Sequence, residues 1–223
     1  MNLSKSFEFF DPNTCKSRIH IIGCGSVGST VAELLARFGL TKFSLYDFDH
    51  VEEHNLVNQM FTRQQVGMMK TEAVRFNILD INPEAAEDIK LFNDGYLGQK
   101  LSGYVFLCVD NIDLRRKIVE DNRFNSNIKA VFDFRTALTS GQHYAADWSK
   151  DKQISALLDT MDFSHEEAEK NVPVSACHVS LCVAPTVRLV SMVGVTNFIN
   201  FVKEGKLENN ILTDPFMFNI TTF

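Results

Sequence analysis

The chain has 223 residues, 45% hydrophobic and 22% charged, with a formal net charge of −6. That is enough apolar material for one sizeable core. The acidic balance argues against a general nucleic-acid or membrane-surface binder, which needs clustered Lys and Arg. No apolar stretch reaches the length of a membrane-spanning helix. Met1–Phe10 carries polar and acidic residues and no signal-peptide core, so a cytoplasmic protein is expected.

The lead, with Phe7, Phe9 and Phe10, is irregular, and its aromatics are expected to pack on the body or on a partner. Arg18-Ile19-His20-Ile21-Ile22 then reads as a short buried strand. The turn Gly23-Cys24-Gly25-Ser26-Val27-Gly28 fits G-x-G-x-x-G. Val27, Val31, Leu34, Leu35 and Phe38 are spaced to line one face of a helix that Gly39 ends. Lys42 to Asp47 reads as a second strand closing on an acid. The glycines allow a tight turn (Gly23), close backbone approach to a phosphate (Gly25) and close helix–strand packing (Gly28). Asp47 lies about twenty residues on, where an acid can bind ribose hydroxyls.

Phe48 to Gln59 is a polar stretch too long for a simple link, the kind of loop that often carries function. Gly67-Met68-Met69-Lys70 opens a helix to about Leu79, which Asn82-Pro83 stops. Asp88–Phe92 is expected as a short strand and a second short helix before Gly103. Tyr104–Val109 is a continuous apolar run, the pattern of a buried parallel strand, ending at Asp110-Asn111. Asp113 is expected to cap a helix over 114–122. Lys129–Phe134 is another buried strand ending near Arg135. Open α/β sheets bind ligands beyond the carboxyl ends of their strands, so Asp47, Asp110 and Arg135 are expected around one crevice.

Gln142–Trp148 alternates in character and is expected to pair antiparallel. Ser149–Val172 is polar, with a helix expected over 164–170. Pro185 opens a long apolar helix to about Lys203, ended by Gly205, and Phe216–Ile220 reads as a last strand. The expected fold is α/β: a Rossmann-like, mainly parallel sheet flanked by helices, with an antiparallel C-terminal extension. The expected organisation is a single domain: a nucleotide-binding core over 1–148, a crossover over 149–176, and a helix and strand over 177–223. The five cysteines are Cys15, Cys24, Cys108, Cys177 and Cys182. Their odd number and the lack of a C-x-x-C pair argue against a disulfide framework and a four-cysteine zinc site.

The glycine turn resembles that of the ThiF/MoeB/HesA family, relatives of ubiquitin-activating enzymes. The run Asp47-x-Asp49-x-Val51-x-x-x-Asn55-Leu56-x-x-Gln59 is similar to that family's D-x-D-x-V-x-x-x-N-L-x-x-Q signature. Gly67-x-x-Lys70, Asn82-Pro83 and Val109-Asp110-Asn111 with Arg115 continue it in order. The resemblance implies that ATP and a carboxylate give an acyl adenylate and pyrophosphate. The carboxylate is usually the C-terminal glycine of a ubiquitin-like or sulfur-carrier protein, or that of a peptide. It also implies roles. Gly23, Gly25 and Gly28 form the nucleotide turn, Asp47 holds the ribose, and Lys70 reaches the phosphates. Asp110 binds Mg²⁺, and Asn55 and Gln59 line the phosphate end. Asp49 and Asn58 belong to the same loop. A homodimer is implied, and neither nucleic acid nor membrane is expected as a partner. The family's usual arginine before the glutamine is Asn58 here, and its zinc-binding cysteine pairs are missing. Arg135 or Arg63 is the candidate for the missing charge. Where members pass the acyl group to a cysteine, Cys177, beside His178, is the first candidate here and Cys182 the second.

Two other functions compete with this one. A nicotinamide-dependent oxidoreductase would use the same first βαβ unit, but the asparagine–glutamine loop and Gly-x-x-Lys would then be superfluous. A non-catalytic module that recognises a carrier protein is favoured by Asn58.

Overall fold

The sheet is built outwards from β1 (Ile19–Ile22), whose residues are all buried. On one side lie β2 (Phe43–Tyr46) and β3 (Lys90–Phe92). On the other lie β4 (Gly103–Leu107) and β5 (Ile128–Thr136), and all five strands are parallel. β6 (Gly141–Asp147), β7 (Asn210–Asp214) and β8 (Asn219–Thr222) extend it antiparallel, giving the order β3-β2-β1-β4-β5-β6-β7-β8. The computed structural model describes residues 1–170 and 181–223, with the backbone alone at 168–170. The architecture is the expected one, a mainly parallel sheet with an antiparallel C-terminal extension. Among the described residues no helix is long and apolar enough to cross a membrane.

Helices cover both faces, which is why β1 and β4 are buried along their whole length rather than alternating. α1 (Ser26–Arg37), α2 (Lys70–Ile81) and α6 (Ala184–Glu204) pack on one face. α3 (Ile112–Asp121) and α4 (Asp151–Asp159) pack on the other, and α5 (His165–Lys170) follows them. Along β5, Phe132 and Phe134 point to the α6 face and Val131 to the α4 face. Phe106, Phe132 and Phe198 form the aromatic centre of the first face, with ring centroids 4.9 to 5.6 Å apart. Gly194 lets α6 sit this low: a Cβ there would meet the Phe134 ring at 2.0 Å.

A buried polar network locks α6 to the antiparallel strands. His143 Nδ1 lies 3.0 Å from the Asp133 carbonyl oxygen, and Asn197 donates to His143 Nε2 at 3.1 Å. The ring is therefore the neutral Nδ1–H form, and burial lowers its pKa to about 4. Asn197 also donates to the Glu208 carbonyl and accepts from its amide, which sets the start of β7. Phe10 is buried in edge-to-face contact with Phe38, and Lys203 sits over the Phe9 ring, so the lead packs on the body.

Several sequence expectations are corrected. No helix lies between β3 and Gly103; Gly95 and Gly98 have φ of +75° and +96°, and the chain turns there. α2 begins at Lys70, after a turn through Gly67 at φ +90°. α3 begins at Ile112 and its cap is Asn111, which accepts from Leu114 N at 2.9 Å, not Asp113. α4 lies inside the stretch read as a polar crossover, and β7 precedes the expected last strand. Phe216-Met217-Phe218 is not in that strand but forms the turn between β7 and β8, with Phe218 96% exposed.

Candidate functional site

The site is at the carboxyl ends of β1, β2 and β4. There the glycines do three different jobs. Gly23 has φ +93°, and a Cβ on it would strike the backbone of Cys108 and Val109 at 2.7–2.8 Å. A Cβ on Gly28 would meet the Gly23 carbonyl oxygen at 1.8 Å, so α1 can pack against the turn only with glycine there. A Cβ on Gly25 would meet nothing within 4 Å. The turn thus opens at Gly25 onto the start of α1, where unpaired N–H groups and the helix dipole favour an anion.

Asp47 clamps this turn to β2. Its Oδ2 accepts from Cys24 N at 2.6 Å and its Oδ1 from Asp49 N at 2.9 Å. Burial raises its pKa; the two backbone N–H bonds and Lys70 oppose that shift. Asp49 accepts from Lys70 Nζ at 2.7 Å, and the Lys70 amide donates to the Asp49 carbonyl at 2.9 Å. Lys70 is 7% exposed, at the first position of α2. Val51 and Gly67 complete this bridge between the polar loop and α2. Burial pushes the Cys24 and Cys108 thiols up, so neither is poised as a thiolate.

The rest of the loop is wired to its neighbours. Asn55 caps a short 3₁₀ turn over Glu53–Val57 by accepting from Glu52 N at 2.9 Å. The Gln59 side-chain oxygen is buried with no hydrogen-bond partner among the described residues. Met60 N donates to Ser29 Oγ of α1 at 3.0 Å. Asn58 donates to the Cys182 carbonyl at 3.0 Å, which joins the loop to the lead-in of α6. Asp110 is exposed three residues past β4 and makes no side-chain hydrogen bond among the described residues.

The structure therefore brings together Gly23, Gly25, Gly28, Asp47, Asp49 and Lys70, with Asp110 close by through the Gly23–Val109 contact. It does not bring Arg135 to them. Arg135 Nε donates to Asp133 Oδ2 at 2.8 Å, its other nitrogens donate to the carbonyl and hydroxyl of Thr160, and its guanidinium lies over Tyr144. Arg115 donates to the other Asp133 oxygen and to the Leu107 and Val109 carbonyls, which holds the backbone before Asp110. Arg63 is exposed and pairs with Glu53 at 3.3 Å. Cys177 and His178 lie outside the described residues, and Cys182 is partly buried at the α6 lead-in. The residue that sequence reasoning missed is Arg188 of α6, whose Nη1 donates to Thr30 Oγ1 of α1. The signal was present: Arg188 is the lone charge between Pro185 and Lys203.

The donor set suits a nucleotide. The opening at Gly25 leaves room for a phosphate at the start of α1. Among the described residues no group of three or more His, Cys, Asp or Glu is placed to hold a metal. An exposed carboxylate such as Asp110 fits Mg²⁺, which binds through one or two carboxylates plus phosphates.

The chain is similar to known proteins in sequence and in fold. Ubiquitin-like modifier-activating enzyme 5 of Caenorhabditis briggsae is 32% identical over 115 residues, 45% of this chain and 27% of that protein. The Drosophila persimilis enzyme is 31% identical over 134 residues, 53% of this chain and 34% of that protein. The chain thus spans about a third or less of the curated relatives it matches. Among solved structures, E. coli MccB with AMPCPP and MccA superposes with a TM-score of 0.72 at 16% identity, over 95% of this chain and 65% of that one. PaaA superposes at 0.67 and 16%, over the same shares. These likenesses show a shared fold. The ThiF family model matches residues 13–223, and the chain belongs to the ThiF family.

Proposed function

We propose that this chain uses ATP to adenylate a carboxylate, the C-terminal one of a ubiquitin-like or sulfur-carrier protein or of a peptide. One observation carries the reading. The turn opens at Gly25 onto the start of α1, Asp47 accepts from the Cys24 amide of that turn, and Asp49 next to it pairs with Lys70. Membership of the ThiF family supports it. So do the names of the relatives, which activate a ubiquitin-like modifier, and the MccB structures with ATP or with MccA.

In the proposed reaction a carboxylate oxygen attacks the α-phosphorus. A P–O bond forms, the bond to the bridging oxygen breaks, and pyrophosphate leaves with the electron pair. Both reactants are anionic, so alignment and positive charge are what the protein must supply. The turn's N–H groups and Lys70 receive phosphate oxygens, Lys70 giving up Asp49 to do so. Asp47, fixed by two backbone N–H bonds, offers its remaining lone pairs to ribose hydroxyls. Asn55 and Gln59 line the phosphate end. Asp110 would hold Mg²⁺, which supplies further charge neutralisation. The whole chain acts as one adenylation domain. A second copy as partner, cytoplasmic residence and transfer to Cys177 belong to the same proposal.

The test is calorimetry with Mg-ATP, AMP and NAD on the wild type and on Asp110→Ala. Preference for Mg-ATP, weakened about tenfold or more by Asp110→Ala, is expected. Preference for NAD would transfer the site to the oxidoreductases. No binding to any nucleotide would leave a carrier-binding module.

A further inference from the structure

The adenylation site needs positive charge beside the phosphates, and the cations that the sequence motifs offer for it are already paired. Lys70 pairs with Asp49 at 2.7 Å and Arg63 with Glu53 at 3.3 Å, while Arg115 and Arg135 share Asp133. Arg188 differs. Among the described residues it has no carboxylate at ion-pair distance. Glu33, which acts on it electrostatically, is already bonded to Arg37 at 2.7 Å. Half-buried in an otherwise uncharged stretch of helix, an arginine gives up hydration without gaining an ion pair. Burial pulls its pKa down accordingly.

Its location gives this charge a use. The Arg188 guanidinium donates to Thr30 Oγ1, and that hydroxyl in turn donates to the Ser26 carbonyl at 2.8 Å. Ser26 is the first residue of α1, directly after the open Gly25. The arginine thus reaches the first turn of α1 through one neutral, easily exchanged partner. The Asn58–Cys182 and Met60–Ser29 bonds hold the polar loop, the start of α6 and this same turn in one register.

We infer that Arg188 is a phosphate-binding residue of the nucleotide site. Its guanidinium exchanges Thr30 for phosphate oxygens held at the start of α1, and it supplies the cationic charge that the neutral side chain at position 58 lacks. The planar fork suits bidentate binding to phosphate, and partial burial strengthens it. This rests on the adenylation reading.

Calorimetry with Mg-ATP and with adenosine, on wild type, Arg188→Met and Arg188→Lys, tests it. Arg188→Met keeps the apolar stem and is expected to weaken Mg-ATP about 10- to 100-fold while leaving adenosine within about twofold. Arg188→Lys, a charge without the fork, is expected to recover part of the loss. It carries the same comparison should the methionine variant fail to fold. Unchanged Mg-ATP binding in Arg188→Met, or equal loss of adenosine, would overturn the assignment while leaving the adenylation reading intact. Wild-type protein that binds neither ligand would overturn both.

Discussion

The two faces of the sheet hold their arginines in opposite ways. On the α3/α4 face, Arg115 and Arg135 converge on Asp133, which is fully buried, and each spends its other donors on backbone carbonyls or Thr160. On the α1/α6 face, Arg188 has a single hydroxyl and no carboxylate among the described residues. The first arrangement is what a structural cluster needs, since a buried charge must be paired and its donors satisfied. The second leaves capacity for a ligand. An arginine's nearness to the carboxyl edge of a sheet therefore does not make it a ligand-binding group; what matters is how much of its charge the protein has already used.

The strongest way to break the structural half of this comparison is Asp133→Ala. It would leave the buried Arg115 and the partly buried Arg135 without their shared carboxylate, with an expected loss of about 3–5 kcal/mol in denaturant unfolding. A loss no larger than that of a surface substitution would mean that the cluster is incidental.

Next comes the pH dependence. His20 accepts from Ser102 N at Nε2 and lies 2.9 Å from the Tyr46 hydroxyl through Nδ1. Burial, first, and then the Arg18 charge lower its pKa from 6.5 to about 4. Burial lowers that of His143 from 6.5 to about 4 as well. The folded chain therefore keeps both rings neutral where the unfolded chain protonates them. Their contribution is complete above pH 6.5 and is lost as pH falls towards about 4, at roughly 3 kcal/mol for each ring. Unfolding free energies measured across this window should rise with pH, and a His143→Asn variant should show a shallower slope. An equal slope in the variant would contradict the assignment of a buried neutral ring.

The legible parts of the sequence were those where one physical demand dominates. β1, β2 and β4 are short, mostly apolar runs buried at every position, and Gly23 and Gly28 leave no room for a side chain. Asp47, Asp49 and Lys70 were found because their spacing repeats a family pattern, and the structure places them in contact with the turn or with each other. The missed elements follow weaker rules. α4 buries only Ile154 and Leu157, too short an apolar stripe to stand out from its charges. β7 buries Ile211 and Thr213, and its neighbour Phe216-Met217-Phe218 carried the stronger apolar signal while lying in an exposed turn. Arg135 was misplaced because its strand end was readable and its side-chain partners on α4 were not. Arg188 was passed over because a long apolar helix reads as core, and which residue of α1 it meets depends on how α6 crosses α1.

The most direct test of the account is a paired measurement on Arg188→Met and Arg135→Met, each assayed for unfolding free energy and for Mg-ATP affinity under conditions where both are folded. Crossed effects are expected. Arg135→Met should lose about 1–3 kcal/mol of stability and keep its nucleotide affinity. Arg188→Met should keep its stability and lose affinity. Parallel losses in both variants, or a loss of affinity confined to Arg135→Met, would contradict it.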